Sequence, residues 1–492
     1  MTEENQPRII FEPPTVRQLN MTGDCPACAD WTVRANRLAD TTDLGGLYIR
    51  SESLHSISLT NAYSLAFDRL SDYSAAVMNR PAWQILGRFH FPAQFSTLSG
   101  VEDHKAARAL VELGFLKPLT ESHRHKDTTT SNEMLVAWLH VTDKCNLSCD
   151  YCYLPKLGDS MSSETGKAAI DTVFASAKKH GFRHIKLKYA GGEATLNFQR
   201  VLAMQEYALA LSEEKSVSFE GVVLTNGVGM SSRMIDEIKR LHLTVIVSLD
   251  GIGSYHNSQR ILTNGQGSFD LVTKTINKLI AAGHPPQISI TITDRNVSGL
   301  AETVGWVLDR NLRFSLNFYR ENDCSSSFAD LRLAEQRLID EVQRAYAVIK
   351  QRLPRFSLMG SLLDRTHFSN KHEYACGAGH NYLAINQDGG IAKCQTQLAH
   401  PVANVHVSDP LTAIRTDESW LINLPVTEKE GCRECEWRYW CAGGCPIETF
   451  RVTGRWDVKS PNCRIYQTLL PEVLRLEGLR LLKYYSPASF IS

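Results

Sequence analysis

Between about residue 135 and 350 the chain alternates two hydrophobic periods. Short runs rich in β-branched and aromatic residues predict strands: LVAWLHVT (135–142), HIKLKYA (184–190), FEGVVLT (219–225), LTVIVSL (243–249), QISITIT (287–293) and RFSLNF (313–318). Between them, apolar positions recur at helical spacing over 163–180, 198–212, 231–241, 267–282, 298–310 and 329–352. Six such alternations predict an α/β fold, a parallel sheet covered by helices, with functional sites at the carboxyl ends of its strands. The pattern fits an open sheet or one curled into a partial barrel.

The flanks read differently. Residues 46–60 partly alternate apolar and polar, as half-buried strands do. Residues 80–90 then carry Trp83, Ile85, Leu86 and Phe89 at helical spacing, and 102–117 carry Ala107, Leu110, Val111 and Phe115. A β-ribbon followed by a helix-turn-helix is the expectation for a small domain within 1–120. The stretch 121–133 has no apolar residue and reads as a linker. The α/β core is expected over 134–350. After about 370 the periodicity fades and seven cysteines fall between 376 and 463, so 351–492 is expected to be a cysteine-rich domain with a C-terminal helix. Loop-rich, thin-cored segments of that kind commonly draw stability from metal.

Composition narrows the function classes. Lys plus Arg and Asp plus Glu are both 53 in the 492 residues, a balance that argues against a nucleic-acid or anionic-membrane binder. No uncharged apolar run reaches the length of a membrane span, and the N-terminus lacks a secretory pattern, so a cytoplasmic location is expected. The 13 cysteines are too sparse for a disulfide scaffold and point to metal or catalysis.

The first cluster follows the first strand directly, as Cys145-Asn-Leu-Ser-Cys149-Asp-Tyr-Cys152. Three thiolates on one loop can bind three corners of an iron–sulfur cluster and leave one iron open to a substrate or cofactor. A structural zinc site is the alternative, and it would want a fourth ligand nearby. With the aromatic Tyr151 before its last cysteine, this loop resembles the CxxxCxxC signature of the radical S-adenosylmethionine (SAM) superfamily. The next strand ends in Gly191-Gly192-Glu193-Ala194, similar to that superfamily's GGEP motif with alanine in place of proline. The resemblance implies a partial (β/α)6 TIM-like barrel and a [4Fe–4S] cluster on Cys145, Cys149 and Cys152. That cluster would reduce SAM to give a 5′-deoxyadenosyl radical, which takes a hydrogen from the substrate. It further implies SAM contacts from Tyr151, Gly191, Gly192, Glu193, Asn226, Ser248 and Arg260, the glycines letting the backbone approach the methionine amino group.

The tail reads Cys376-x12-Gly389-x4-Cys394, then Cys432-x2-Cys435-x5-Cys441-x3-Cys445, then Cys463. Seven thiolates are one short of two four-cysteine sites, and two zinc ions are compatible with the count. The spacing resembles the SPASM domain of radical SAM enzymes, which implies two auxiliary [4Fe–4S] clusters, three clusters in all. By that resemblance Cys432, Cys435, Cys441 and Cys463 hold one. Cys376, Cys394 and Cys445 hold the other, whose fourth position is open or borrowed from His372, Asp364, Cys324 or a substrate thiolate. Cys25 and Cys28 form a further Cys-x-x-Cys pair.

The N-terminal segment is similar to the winged-helix peptide-recognition elements of peptide maturases. Its helices balance Arg80, Arg88, Lys105, Arg108 and Lys117 with Glu102, Asp103 and Glu112, which disfavours a DNA-binding role. The whole reads as a radical SAM/SPASM maturase that forms a carbon–carbon or thioether cross-link, or an oxidised product, on a precursor peptide or small protein. An electron donor such as a flavodoxin or ferredoxin is the other expected partner. Asp250 is a candidate proton acceptor. Gln395 stands beside Cys394, where sulfatase maturases, the second reading, usually carry a carboxylate. A zinc-stabilised scaffold without chemistry is the third.

Overall fold

The computed structural model describes residues 6–11, 45–68, 75–119, 134–366 and 372–485. The expected linker and the Cys25–Cys28 pair lie outside the described residues. The strands are β1 (Ile9–Ile10), β2 (Tyr48–Arg50), β3 (Leu54–Ser58), β4 (Tyr63–Asp68), β5 (Ala76–Asn79), β6 (Leu116–Pro118), β7 (Met134–His140), β8 (His184–Ala190), β9 (Ser218–Thr225), β10 (Thr244–Ser248), β11 (Gln287–Ile292), β12 (Phe314–Phe318), β13 (Tyr382–Ile385), β14 (Gly390–Ala392) and β15 (Ala403–Asn404). The helices are α1 (Arg80–Arg88), α2 (Val101–Glu112), α3 (Ser163–His180), α4 (Phe198–Lys215), α5 (Ser232–Arg240), α6 (Ser254–Asn257), α7 (Phe269–Ala281), α8 (Leu300–Asp309), α9 (Glu335–Gln351), α10 (Pro410–Thr416), α11 (Arg438–Cys441), α12 (Pro446–Thr453) and α13 (Cys463–Tyr485).

Strands β7 to β12 lie side by side in chain order, each parallel to the next. The crossover helices follow from local signals. In α3, Ser162 accepts from the Thr165 amide to cap the start, and Gly181 ends the helix at φ 74°. Strand side chains alternate: Leu135, Ala137, Leu139 and Val141, like Ile185, Leu187 and Tyr189, join the core beneath the helices. Val136, Trp138, Ala190, Tyr382 and Ala384 form a separate cluster on the opposite, inner face. The sheet is not closed: β12 is one edge and β15 the other.

The cysteine-rich tail does not stand apart from this sheet. Strand β13 pairs parallel to β7 on the side away from β8, and β14 and β15 continue antiparallel. These strands have 4, 3 and 2 residues, too short for a period of two to register.

In the N-terminal part a sheet of order β1-β5-β4-β3 carries α1 and α2 on one face, with a core of its own. The helix expected over 102–117 ends at Glu112 instead. Gly114 turns at φ 68°, and residues 116–118 leave as β6 to pair with β2. The other face is not free: Ile10, Leu65, Phe67 and Val77 merge into the main core. Phe67 packs 5.5 Å from the Trp440 ring, and α13 crosses close enough that a Cβ on Gly478 would fall 2.8 Å from Leu59. Among the described residues no helix is long and apolar enough to cross a membrane.

Candidate functional site

The loop after β7 carries Cys145, Cys149 and Cys152, each partly buried. The Leu147 amide donates to Cys145 Sγ at 3.4 Å and Asn226 Nδ2 does so at 3.8 Å. Burial pushes the Cys149 thiol up to about 12; Arg260 opposes this, while Cys152 and Cys145 add to it. Burial likewise raises Cys145, with Cys152 again a neighbour. The three thiols therefore face one another in a desolvated place where anions need a compensating cation.

Gly191 and Gly192 sit directly under this loop. A Cβ on Gly191 would lie 2.3 Å from the Thr142 carbonyl oxygen, and one on Gly192 would lie 2.5 Å from those of Asp143 and Lys144. The Gly192 and Glu193 amides donate to Thr142 and Lys144 at 2.7 and 2.8 Å. The space over both glycines is filled by the cysteine loop's own backbone. Glu193 is buried, and its carboxylate accepts from Thr195 N and Oγ1, Thr225 Oγ1 and Asn226 N at 2.6–3.0 Å. Asn226 in turn donates to Asn146 Oδ1 at 2.7 Å. Both brace the loop from behind. Ser248, half-buried, ends β10.

Two residues on is Asp250, 1% exposed. Its Oδ2 accepts from Tyr151 OH at 2.7 Å, Gln259 Nε2 at 2.8 Å and Arg260 Nε at 2.6 Å; Oδ1 accepts from the Thr291 amide at 2.8 Å. Burial alone would raise this carboxyl, but Arg260, then His256 and Tyr151, hold it below the usual range. Both carboxylate oxygens are thus occupied, and the arrangement fixes Tyr151 and Arg260. The Arg260 guanidinium also lies 5.2 Å from the Tyr151 ring centroid.

The tail cysteines gather in two groups. Cys441 is pushed up to about 12 by burial, with Cys432, Cys435 and Cys463 adding; Cys432 rises to about 11 beside Cys463 and Cys435. Cys445 is buried in a small apolar cluster with Ala378, Leu421 and Ile447, against which Cys376, Cys394 and Trp456 pack. Asn423 Nδ2 reaches Cys376 Sγ at 4.0 Å. The structure thus brings together the quartet and the trio that cross in sequence. Among the described residues no three His, Cys, Asp or Glu side chains close on a point as ligands of one ion do. Desolvated, mutually facing thiols with N–H donors aimed at sulfur suit the spread corners of a multi-iron cluster.

Gln395 is buried. Its Oε1 accepts from Tyr382 OH at 2.8 Å and from the Cys394 thiol at 3.6 Å. It holds its neighbours and has no proton to exchange. Cys324 donates to the Tyr153 carbonyl at 3.6 Å, beside the first loop, and Asp364 pairs with Arg320.

Sequence reasoning passed over Arg295 and Lys429. Arg295 follows β11 and binds Asp150 inside the cysteine loop at 2.5 Å. Lys429 is a buried cation among tail thiols. Neither lies in a recognisable motif; a charged residue of either kind is ordinarily a solvated one.

Residues 139–304 match the family model described as the Radical SAM superfamily. The chain is 28% identical over 171 residues to an uncharacterized protein of Methanocaldococcus jannaschii, 35% of this chain and 57% of that one. It is 26% identical to the antilisterial bacteriocin subtilosin biosynthesis protein AlbA of Bacillus subtilis, over 58% of this chain and 60% of AlbA. It is 22% identical to PqqA peptide cyclase of Methylocella silvestris, over 66% and 86%. The chain therefore spans less than two thirds of the first and second of these relatives. Among solved structures, anSMEcpe with bound AdoMet superposes at a TM-score of 0.56 with 16% identity, over 71% of this chain and 98% of that one, a likeness of fold. Over residues 139–304, which hold the cysteine loop and the parallel strands β8 to β11, the chain carries a Radical SAM domain.

Proposed function

We propose that this chain is a SPASM-type radical SAM maturase that modifies a side chain of a ribosomally made peptide or small protein. The observation that supports the reading is the grouping of ten cysteines: the thiols of Cys145, Cys149 and Cys152, and those of Cys432, Cys435, Cys441 and Cys463, lie near enough to perturb one another, and Cys376, Cys394 and Cys445 share one apolar cluster. A Radical SAM domain implies SAM and one [4Fe–4S] cluster, which together supply the one-electron chemistry that removes a hydrogen atom from an unactivated C–H bond.

The chain's own residues position and insulate that chemistry. Cys145, Cys149 and Cys152 would hold the SAM-binding cluster, with the glycine pair and Glu193 fixing the loop. Asp250 fixes Tyr151 and Arg260 beside that loop. The quartet and the trio would hold two auxiliary clusters able to accept the second electron as a cross-link or an oxidised carbon forms. The relatives named for subtilosin biosynthesis and for PqqA cyclisation support a peptide substrate. Strand β3 is an edge of its sheet, where a precursor could add as a further strand. The tied amide of Gln395 disfavours formylglycine formation, which calls for a base at that place.

Anaerobic reconstitution tests the reading. About twelve irons per chain, as three [4Fe–4S] clusters require, and release of deoxyadenosine from SAM with dithionite are expected. A colourless zinc protein ends it. A short precursor peptide encoded beside the gene would supply the substrate for a mass-spectrometric assay.

A further inference from the structure

Cys441 and Cys445 are four residues apart, yet the first faces the quartet and the second lies in the trio. The turn between them, Ala442-Gly443-Gly444, has positive φ at every residue, 42°, 75° and 69°. A non-glycine residue held there marks a backbone that its surroundings enforce. What fills the turn is Lys429. It is 1% exposed, and its ammonium donates to the Ala442 carbonyl at 3.1 Å. Its stem runs so close that a Cβ on Gly443 would fall 2.7 Å from Cδ. Burial pushes its pKa down, and the groups that oppose this are thiols of both sets, Cys432 and Cys441 from the quartet, Cys376 and Cys445 from the trio. Among the described residues no carboxylate pairs with it.

A buried ammonium without a carboxylate is costly unless another anion offsets it. Thiolate-ligated iron–sulfur centres are anionic, more so once reduced, and their potentials depend on nearby charge. A fixed cation stabilises the reduced state and makes the centre a better electron acceptor.

We propose that Lys429 is a positioning residue of the auxiliary centres: its ammonium, held where quartet and trio cross, raises the reduction potential of both and equips them to take the electron that leaves the substrate. This rests on the reading that both sets hold iron–sulfur clusters. In the step it serves, the substrate radical loses one electron to an auxiliary cluster and one proton to solvent as the new bond forms. Lys429 stays protonated throughout, and no bond to it is made or broken.

Redox titration of the reconstituted holoprotein, followed by electron paramagnetic resonance at fixed pH, tests this. Lys429→Met should keep its iron and lower the auxiliary potentials by at least 59 mV, the shift of a tenfold change in a one-electron equilibrium. The centre whose spectrum changes on adding SAM should keep its potential, and Lys429→Arg should return the auxiliary signals toward wild type. Gly443→Ala, which displaces the lysine stem, should give a smaller shift of the same sign, and it serves if Lys429→Met does not hold its iron. Unchanged auxiliary potentials in Lys429→Met, or in Gly443→Ala where that substitute is needed, overturn the assignment. Wild-type protein that takes up iron for a single cluster would instead sink the reading beneath it.

Discussion

The Tyr151 hydroxyl donates to Asp250 Oδ2 at 2.7 Å across 99 residues of chain, so the aromatic residue inside the cysteine loop is anchored to the end of β10. The same carboxylate holds Arg260 in a buried ion pair. Removing one partner of such a pair strands the other, at about 3–5 kcal/mol. Asp250→Ala should therefore lower the thermal midpoint sharply and abolish the spectral change that SAM produces in the reduced cluster. Tyr151→Phe loses one hydrogen bond, about 1 kcal/mol, and should keep iron uptake while weakening SAM binding. Equal behaviour of the two variants would contradict the division of roles.

Arg295 clamps the same loop from the other side. One guanidinium binds Asp150 at 2.5 Å, the Ser258 carbonyl at 2.9 Å, and Asp330 through two nitrogens at 2.6 and 3.0 Å. It thus joins the cysteine loop, the segment before Arg260 and the loop after β12. Arg295→Met should leave the fold intact and reduce SAM affinity about tenfold, the loss of a charge-assisted contact. Arg337→Met, which breaks the exposed pair with Asp294, is the matched control and should bind SAM as wild type does. Calorimetric titration of SAM into both proteins decides.

Gly192 leaves no room for a side chain, since a Cβ would meet two backbone oxygens at 2.5 Å. Backbone cannot yield as a flexible side chain can. On the proposed three-cluster reading, Gly192→Ala should therefore lose the SAM-binding cluster and keep the other two, so iron falls by about a third of the total. Full iron content and an unaltered response to SAM would refute the packing argument.

How much of this the sequence discloses depends on range. Each of the six parallel strands is legible to within two residues at either end, because Leu135, Leu187, Val245, Ile290 and their neighbours lie in apolar-rich runs bounded by turns. The cysteine trio and the glycine pair stand out in the sequence because each is a local pattern. Residues whose role is set by distant partners do not. Asp250 reads as an available carboxylate until Tyr151, Gln259 and Arg260 are seen around it. Lys429 reads as a surface lysine until the Ala442–Gly444 turn closes over it. Likewise β13 is four residues that become a strand only against β7.

The Asp250 site also fixes a pH dependence. His256 is fully buried, with Nδ1 accepting from the Asp250 amide at 3.2 Å and Nε2 2.9 Å from Ser268 Oγ, whose own proton goes to the Arg260 carbonyl. These partners assign the neutral Nε2–H tautomer. Burial lowers its pKa to about 4 from the ordinary 6.5; Asp250 opposes this and Arg260 reinforces it. Between those values the unfolded chain holds a proton that the folded chain does not, so stability rises with pH across the window and is lost as pH falls. The linkage is worth about 2 kcal/mol between pH 7.5 and 5. His256→Gln keeps an acceptor and a donor but cannot titrate, so its thermal midpoint should fall less than that of wild type over this range. Parallel midpoints for the two proteins from pH 7.5 to 5 would show that this histidine is not a source of acid sensitivity.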